Sequence, residues 1–166
     1  VGRPYDPAYV DAVKRAAAGK RVTFHFEADD AELRGHYAGA SVVLQVSMPA
    51  GVPGGQDRSE LLGLVALEGM ACGKPVIVTS TTSLPELVVD GVTGFIVAPG
   101  DREALRARLD ALVGSPNLCR SMGAQAREHV ESRFTWESTA ARGMDFYRRL
   151  AGRRVRGGSG AGSAAG

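Results

Sequence analysis

The sequence is poor in the residues that announce many functions. Its 166 residues include only two cysteines, Cys72 and Cys119, isolated from one another and from any histidine cluster. That excludes a disulfide framework and a zinc-finger spacing, so both read as reduced thiols in or near the core. Surplus charge of either sign is also missing. Twenty Lys and Arg against eighteen Asp and Glu leave +2, too little to argue for a nucleic-acid surface. There is no long apolar run. The widest uncharged stretch, Gly35 to Gln56, is interrupted by Pro49, Pro53 and four glycines, which would leave backbone groups unpaired in lipid, so no membrane span is expected. The opening VGRPYDPAYV carries an early acid and prolines and no apolar core, so it does not read as a secretory signal, and a cytoplasmic address is the expectation. At 44% hydrophobic and 23% charged, what remains is the composition of a globular domain.

What is present is alternation. The β-branched runs Val22 to Phe26, Val42 to Val46, Pro75 to Ser80 and Gly94 to Ala98 are separated mostly by helical patterns. Helices are predicted at Pro7 to Ala18, Asp30 to Tyr37, Glu60 to Cys72, Leu84 to Val89, Asp101 to Val113, Asn117 to Ser132 and Trp136 to Leu150. Strands that are apolar on both faces and alternate with helices predict an α/β fold with a doubly wound, mainly parallel sheet. A doubly wound domain usually has about six strands, and only four are visible, with Val1-Gly2 reading as the end of another. Ser83 to Glu86 has the form of a capping box, and Asp101 that of an N-cap. Gly91 and Gly94 bracket a tight turn. From Ala151 the periodicity stops, so residues 1–150 are expected to form the domain and 151–166 a flexible Gly/Ala/Ser-rich tail.

Ligands of open parallel sheets bind beyond the carboxyl ends of the strands, which directs attention to the Gly- and Pro-rich loop after Val46 and the helix that follows it. Leu61, Leu64, Val65, Leu67, Met70 and Ala71 make that helix apolar nearly all round, so it is expected to be buried. Its charges are Glu60 and Glu68. Glu68 follows Leu64 and Val65 on one stripe, where an unpaired carboxylate would be costly and something polar must meet it. Glu60 sits where a helix N-terminus favours an acid. Eight positions separate them by roughly 12 Å and about 80° of rotation, a reach suited to an elongated, hydroxyl-rich ligand rather than a metal ion. Simpler roles stand beside these: a dipole partner for Glu60, and a buried acid paired with a basic side chain for Glu68. The run Gly69 to Lys74 mimics a phosphate loop but is one residue short and ends a helix, and no G-x-G-x-x-G opens one. His25, His36 and His129 read as structural or solvated.

At these residues a family becomes recognisable. ELLGLVALEGMACGKPVI, with seven residues between Glu60 and Glu68, followed by TTSLPELVVDGVTGFIVAPGD, resembles the C-terminal donor-binding half of the retaining, nucleotide-sugar-dependent glycosyltransferases of the GT-B fold, group 1 (family four), over about residues 1 to 150. The resemblance implies that Glu60 contacts hydroxyls of the transferred sugar, that Glu68 accepts hydrogen bonds from the ribose diol, that backbone N–H groups of Gly63, Leu64 and Val65 face the diphosphate, and that Phe26, Glu27 and Ala28 border the base. It implies a nucleoside-diphosphate sugar as donor substrate, no further cofactor, no metal and a place in polysaccharide or glycoconjugate biosynthesis. The basic pair that grips the pyrophosphate, and an acceptor-binding domain acting in cis or in trans, would lie upstream of Val1; in such an enzyme the whole could sit at a membrane surface. Leu61-Leu62-Gly63 stands where the family commonly has Gly-Phe-Gly, and Phe26 where a glycine is usual. The alternative is a non-catalytic nucleotide-sugar-binding or pairing module; a non-hydrolysing sugar epimerase of the same architecture is disfavoured by the paired glutamates and the Leu-Pro-Glu turn, and a receiver domain using Asp29 and Asp30 because VVLQVS ends without an aspartate.

Overall fold

The computed structural model describes residues 6–48 and 62–157, with side chains to Ala151. Its centre is a parallel sheet of β1 (Val43–Gln45), β2 (Val76–Thr79) and β3 (Gly94–Val97), in that order, with Val43 opposite Val76 and Val76 opposite Gly94. Helices α1 (Pro7–Ala17) and α2 (Asp30–Gly39) precede the sheet. Next come α3 (Leu64–Ala71) after β1, α4 (Leu84–Leu87) after β2, and α5 (Arg102–Val113), α6 (Pro116–Arg133) and α7 (Trp136–Gly157) after β3.

The sheet sorts its side chains by parity. Val76 and Val78 point to one face, where they pack with Ala66 and Met70 of α3, Leu84 and Leu87 of α4, and Ala126 and Val130 of α6. Ile77 points to the other, among Phe95, Val97, Leu112 of α5 and Met122 of α6. Thus α6 contributes to both cores, and β2 is buried along its whole length. Burying a Val or Ile side chain contributes about 1.5–3 kcal/mol, so the central strand needs no polar alternation to form.

Three of the four expected strands are ladders. Val22 to Phe26 is not: among the described residues only Phe26 makes a single bridge, and Val22 and Phe26 stay 50% and 38% exposed. Its composition supplies β propensity, but a ladder also needs a neighbour running alongside. The expected capping box at Ser83 is absent, because Ser83 has helical backbone angles and makes no side-chain cap bond, whereas an N-cap needs extended ones. The Thr81–Leu84 turn, closed by Leu84 N–H to Thr81 C=O at 3.1 Å, has already curled the chain. A complete box appears instead on α2. Asp29 accepts from the N–H groups of Ala31 and Glu32, and Glu32 Oε2 accepts from Asp29 N–H at 3.1 Å, which gives Asp29 a structural duty. Asp101 caps α5 as expected, accepting from Ala104 N–H at 2.8 Å. In the turn before β3, Gly91 takes φ 75° and Asp90 Oδ1 accepts from Ile96 N–H at 2.9 Å.

The last helix departs from expectation at its end. It continues through Ala151, where a tail was predicted, as far as Gly157; residues 158–166 lie outside the described residues. Trp136, Ala140, Met144, Tyr147 and Ala151 recur at three- and four-residue spacing on one side of it, all exposed. No helix among the described residues is long and apolar enough to cross a membrane.

Candidate functional site

The opening of α3 is set by its neighbours rather than by a capping side chain of its own. Gly63, its N-cap, sits in the left-handed region at φ 67°, which a residue with a Cβ resists; a Cβ here would also meet Leu84 Cδ2 at 2.8 Å. The buried amide of Gln45, reaching from β1, accepts from Ala66 N–H at 2.9 Å. That leaves the N–H groups of Leu64 and Val65 with no hydrogen bond among the described residues. Two donors at the positive end of a helix, unpaired among the described residues, are suited to an anion.

Glu68 lies one turn further along, and here the expectation of burial is corrected. Glu68 is exposed, and so are Leu64 at 55% and Val65 at 41%. The buried face of α3 is Ala66, Gly69 and Met70. In a helix apolar nearly all round, small residues decide which side approaches the sheet: a Cβ on Gly69 would stand 2.9 Å from Val43 Cγ2, so that side sits flush against β1. The stripe carrying Glu68 is turned outward.

The polar partner of Glu68 is also other than expected. No ion pair among the described residues involves it, so a basic partner is not found. Instead the Tyr37 hydroxyl donates to Glu68 Oε2 at 2.7 Å, across from α2. Burial, and then the hydrogen bond and charge of Glu68, push the Tyr37 phenol well above its ordinary value, so it remains a protonated donor.

Of the other expected residues, Glu60 lies outside the described residues. Phe26, Glu27 and Ala28 lie at the end of the Val22–Phe26 segment, with Phe26 stacked on Phe24 and Lys14 Nζ 5.4 Å from the Phe26 ring centre. Among the described residues no hydrogen bond joins these three to α3. Their segment is tied to α2 through the rings of His25 and His36, 4.1 Å apart, one residue from Tyr37. A cavity of about 570 Å³ opens beyond the carboxyl ends of the strands, lined in part by Val46, Met48, Thr79, Val97 and Leu105, where open parallel sheets bind ligands. Two site residues escaped the sequence reading. Gln45 had a visible signal, a lone amide in the apolar strand VVLQV; Tyr37 had only its place four residues after Leu33 on the apolar side of α2.

Residues 2–129 match the family model of glycosyl transferases group 1. The chain belongs to the group 1 glycosyl transferases. Among the curated relatives of this glycosyl transferase chain, D-inositol 3-phosphate glycosyltransferase of Streptomyces griseus is 35% identical over 126 residues, which is 76% of this chain and 24% of the relative. The chain therefore spans about a quarter of that relative's length. Sucrose-phosphate synthase of Thermosynechococcus elongatus superposes with a TM-score of 0.70 at 32% identity, over 89% of this chain and 34% of that one. The C-terminal domain of a group 1 glycosyl transferase, LpcC of Francisella tularensis, does so with a TM-score of 0.62 at 26% identity, over 78% of this chain and 62% of that one. The fold is also that of Anabaena Alr3699/HepE, solved with UDP-glucose, with a TM-score of 0.67 at 23% identity over 89% of this chain and 38% of that one. The group 1 chain is thus a partial, C-terminal-like domain with the Rossmann-like GT-B architecture.

Proposed function

We propose that this chain is the donor-binding half of a retaining glycosyltransferase that moves a hexose from a nucleoside-diphosphate sugar to an acceptor hydroxyl. The observation that carries this reading is the arrangement on α3: the N–H groups of Leu64 and Val65, without a hydrogen bond among the described residues, and a carboxylate one turn on, facing outward at Glu68. The diphosphate takes the N–H groups of Gly63, Leu64 and Val65, and the ribose diol donates to Glu68. Glu60 contacts hydroxyls of the transferred sugar, and Phe26, Glu27 and Ala28 border the base. Neither a metal nor a general base is assigned.

Catalysis on this reading is mostly positioning and stabilisation of the departing diphosphate. The acceptor is held by an upstream domain, in keeping with a chain that spans about a quarter of a related transferase. Proximity of that kind accounts for roughly 7–11 kcal/mol of a barrier, so the chain alone binds donor weakly and transfers nothing.

Calorimetric titration with UDP, GDP and ADP tests the assignment. Glu68→Gln keeps shape but loses charge-assisted hydrogen bonds of about 1.5–3 kcal/mol, so affinity falls roughly ten- to a hundredfold while the melting temperature of this exposed site barely moves. Unchanged affinity would overturn the reading. Donor hydrolysis and transfer, measured with an acceptor-binding domain added, separate an enzyme from a module that only binds.

A further inference from the structure

We infer that Tyr37 is a positioning residue that makes the donor site select ribose over deoxyribose, by holding the Glu68 carboxylate for the sugar diol. The inference rests on the proposed role of Glu68. It starts from the asymmetry of the pair. Tyr37 is packed against the core cluster beneath α3, so its ring is fixed whether or not Glu68 is near. Glu68 is exposed on the outer side of α3 and, by itself, would sample several rotamers of a flexible side chain. The 2.7 Å hydrogen bond from the phenol to Oε2 therefore orients the carboxylate, and the carboxylate does not orient the phenol.

The choice of donor matters. An ionised carboxylate offers about four lone-pair sites, and a single hydroxyl occupies one of them. Among the described residues nothing donates to Oε1, and Oε2 retains a lone pair, enough to accept from two adjacent hydroxyls. A bidentate guanidinium in the same place would take both oxygens and offset the charge. Because the phenol proton is held by burial and by Glu68 itself, the clamp does not switch off near neutral pH. Pre-ordering of this kind raises affinity by removing an ordering cost at the moment of binding. It acts only on ligands that present the diol.

The test compares UDP, GDP and ADP with their 2′-deoxy counterparts on the wild type, Tyr37→Phe and Glu68→Gln, by calorimetric titration. Tyr37→Phe keeps the ring and leaves Glu68 open to water, so the fold should persist, as melting curves will check. For whichever base binds, the wild type is expected to prefer the ribonucleotide about tenfold. Tyr37→Phe should reduce that preference to about twofold or less with little change in deoxynucleotide affinity, and Glu68→Gln should abolish it. A purely structural tyrosine would weaken both nucleotides equally. If Glu68→Gln erases the preference and Tyr37→Phe retains it, the inference falls and the role of Glu68 stands. If Glu68→Gln retains it, or no nucleotide binds the wild type, the role of Glu68 fails and the inference with it.

Discussion

Replacing Gly123 by Ala pits helix propensity against packing, and the geometry decides the sign. Gly123 lies inside α6, where Ala is ordinarily favoured over Gly by about 0.8–1.0 kcal/mol. Its Cα, however, faces the turn that follows α3: a Cβ would fall within the envelope of the Gly73 carbonyl oxygen, 2.9 Å from the carbonyl carbon and 3.3 Å from Pro75 Cδ. The obstacle is backbone, so no rotamer change relieves it. The helix and the turn must separate, which loosens the core where Ala126 and Val130 of α6 meet Met70 of α3. Overpacking costs typically 1–3 kcal/mol, and a rigid obstacle places this site at the upper end. Subtracting the propensity gain leaves a loss of about 2 kcal/mol, or roughly 4–8 °C in melting temperature for a chain of this size. Gly35→Ala in α2 and Gly143→Ala in α7 are matched controls, since a Cβ at either meets nothing within 4 Å. Each should gain up to about 1 kcal/mol. Thermal melts of the three variants give the comparison, and a Gly123→Ala variant as stable as its controls would refute the packing argument.

Asp29→Ala removes the side-chain half of the α2 capping box, the acceptor for Ala31 and Glu32 N–H, and leaves the backbone N–H that Glu32 accepts from; it should cost about 1 kcal/mol in urea unfolding, with Asp29→Asn recovering most of it, and equal midpoints for Ala and Asn would refute the cap. His129 has its pKa pushed below its ordinary 6.5 by burial and then by Arg133, so the unfolded chain takes up a proton at a higher pH than the folded one. Its contribution is complete above about pH 6.5 and is lost as pH falls below it, so between about pH 7.5 and about pH 5.5 the wild type should lose more stability than His129→Gln; parallel losses would refute this.

What could be read in advance followed from how many constraints acted on each segment. Val76, Ile77 and Val78 are fully buried, and a run of β-branched residues with no polar face has few other ways to be satisfied. Val22 to Phe26 has similar residues and forms no ladder among the described residues, because pairing depends on a neighbour that local composition does not report. On α3 the difficulty is reversed. With apolar residues on nearly every side, periodicity cannot select a face, and the choice falls to Ala66 and Gly69, whose small size is informative only against Val43. The need of Glu68 for a polar partner was legible from its chemistry. That the partner is an uncharged hydroxyl thirty-one residues away was not, since nothing in local spacing brings Tyr37 to it.

The bond from the Gln45 amide to Ala66 N–H has a consequence for how such a domain can be altered. A helix usually receives its cap from the residue just before it, so inserting or deleting sequence upstream disturbs its start. Here the cap arrives from a strand, and Leu84 and Leu87 close around Gly63 from the far side. The seat of α3 is thus set in part by β1 and α4, elements distant in sequence from its own first turn. A change to this domain that leaves the α3 sequence intact can therefore still unseat the helix, and Gln45, an unremarkable amide by composition, is the residue that such changes must keep.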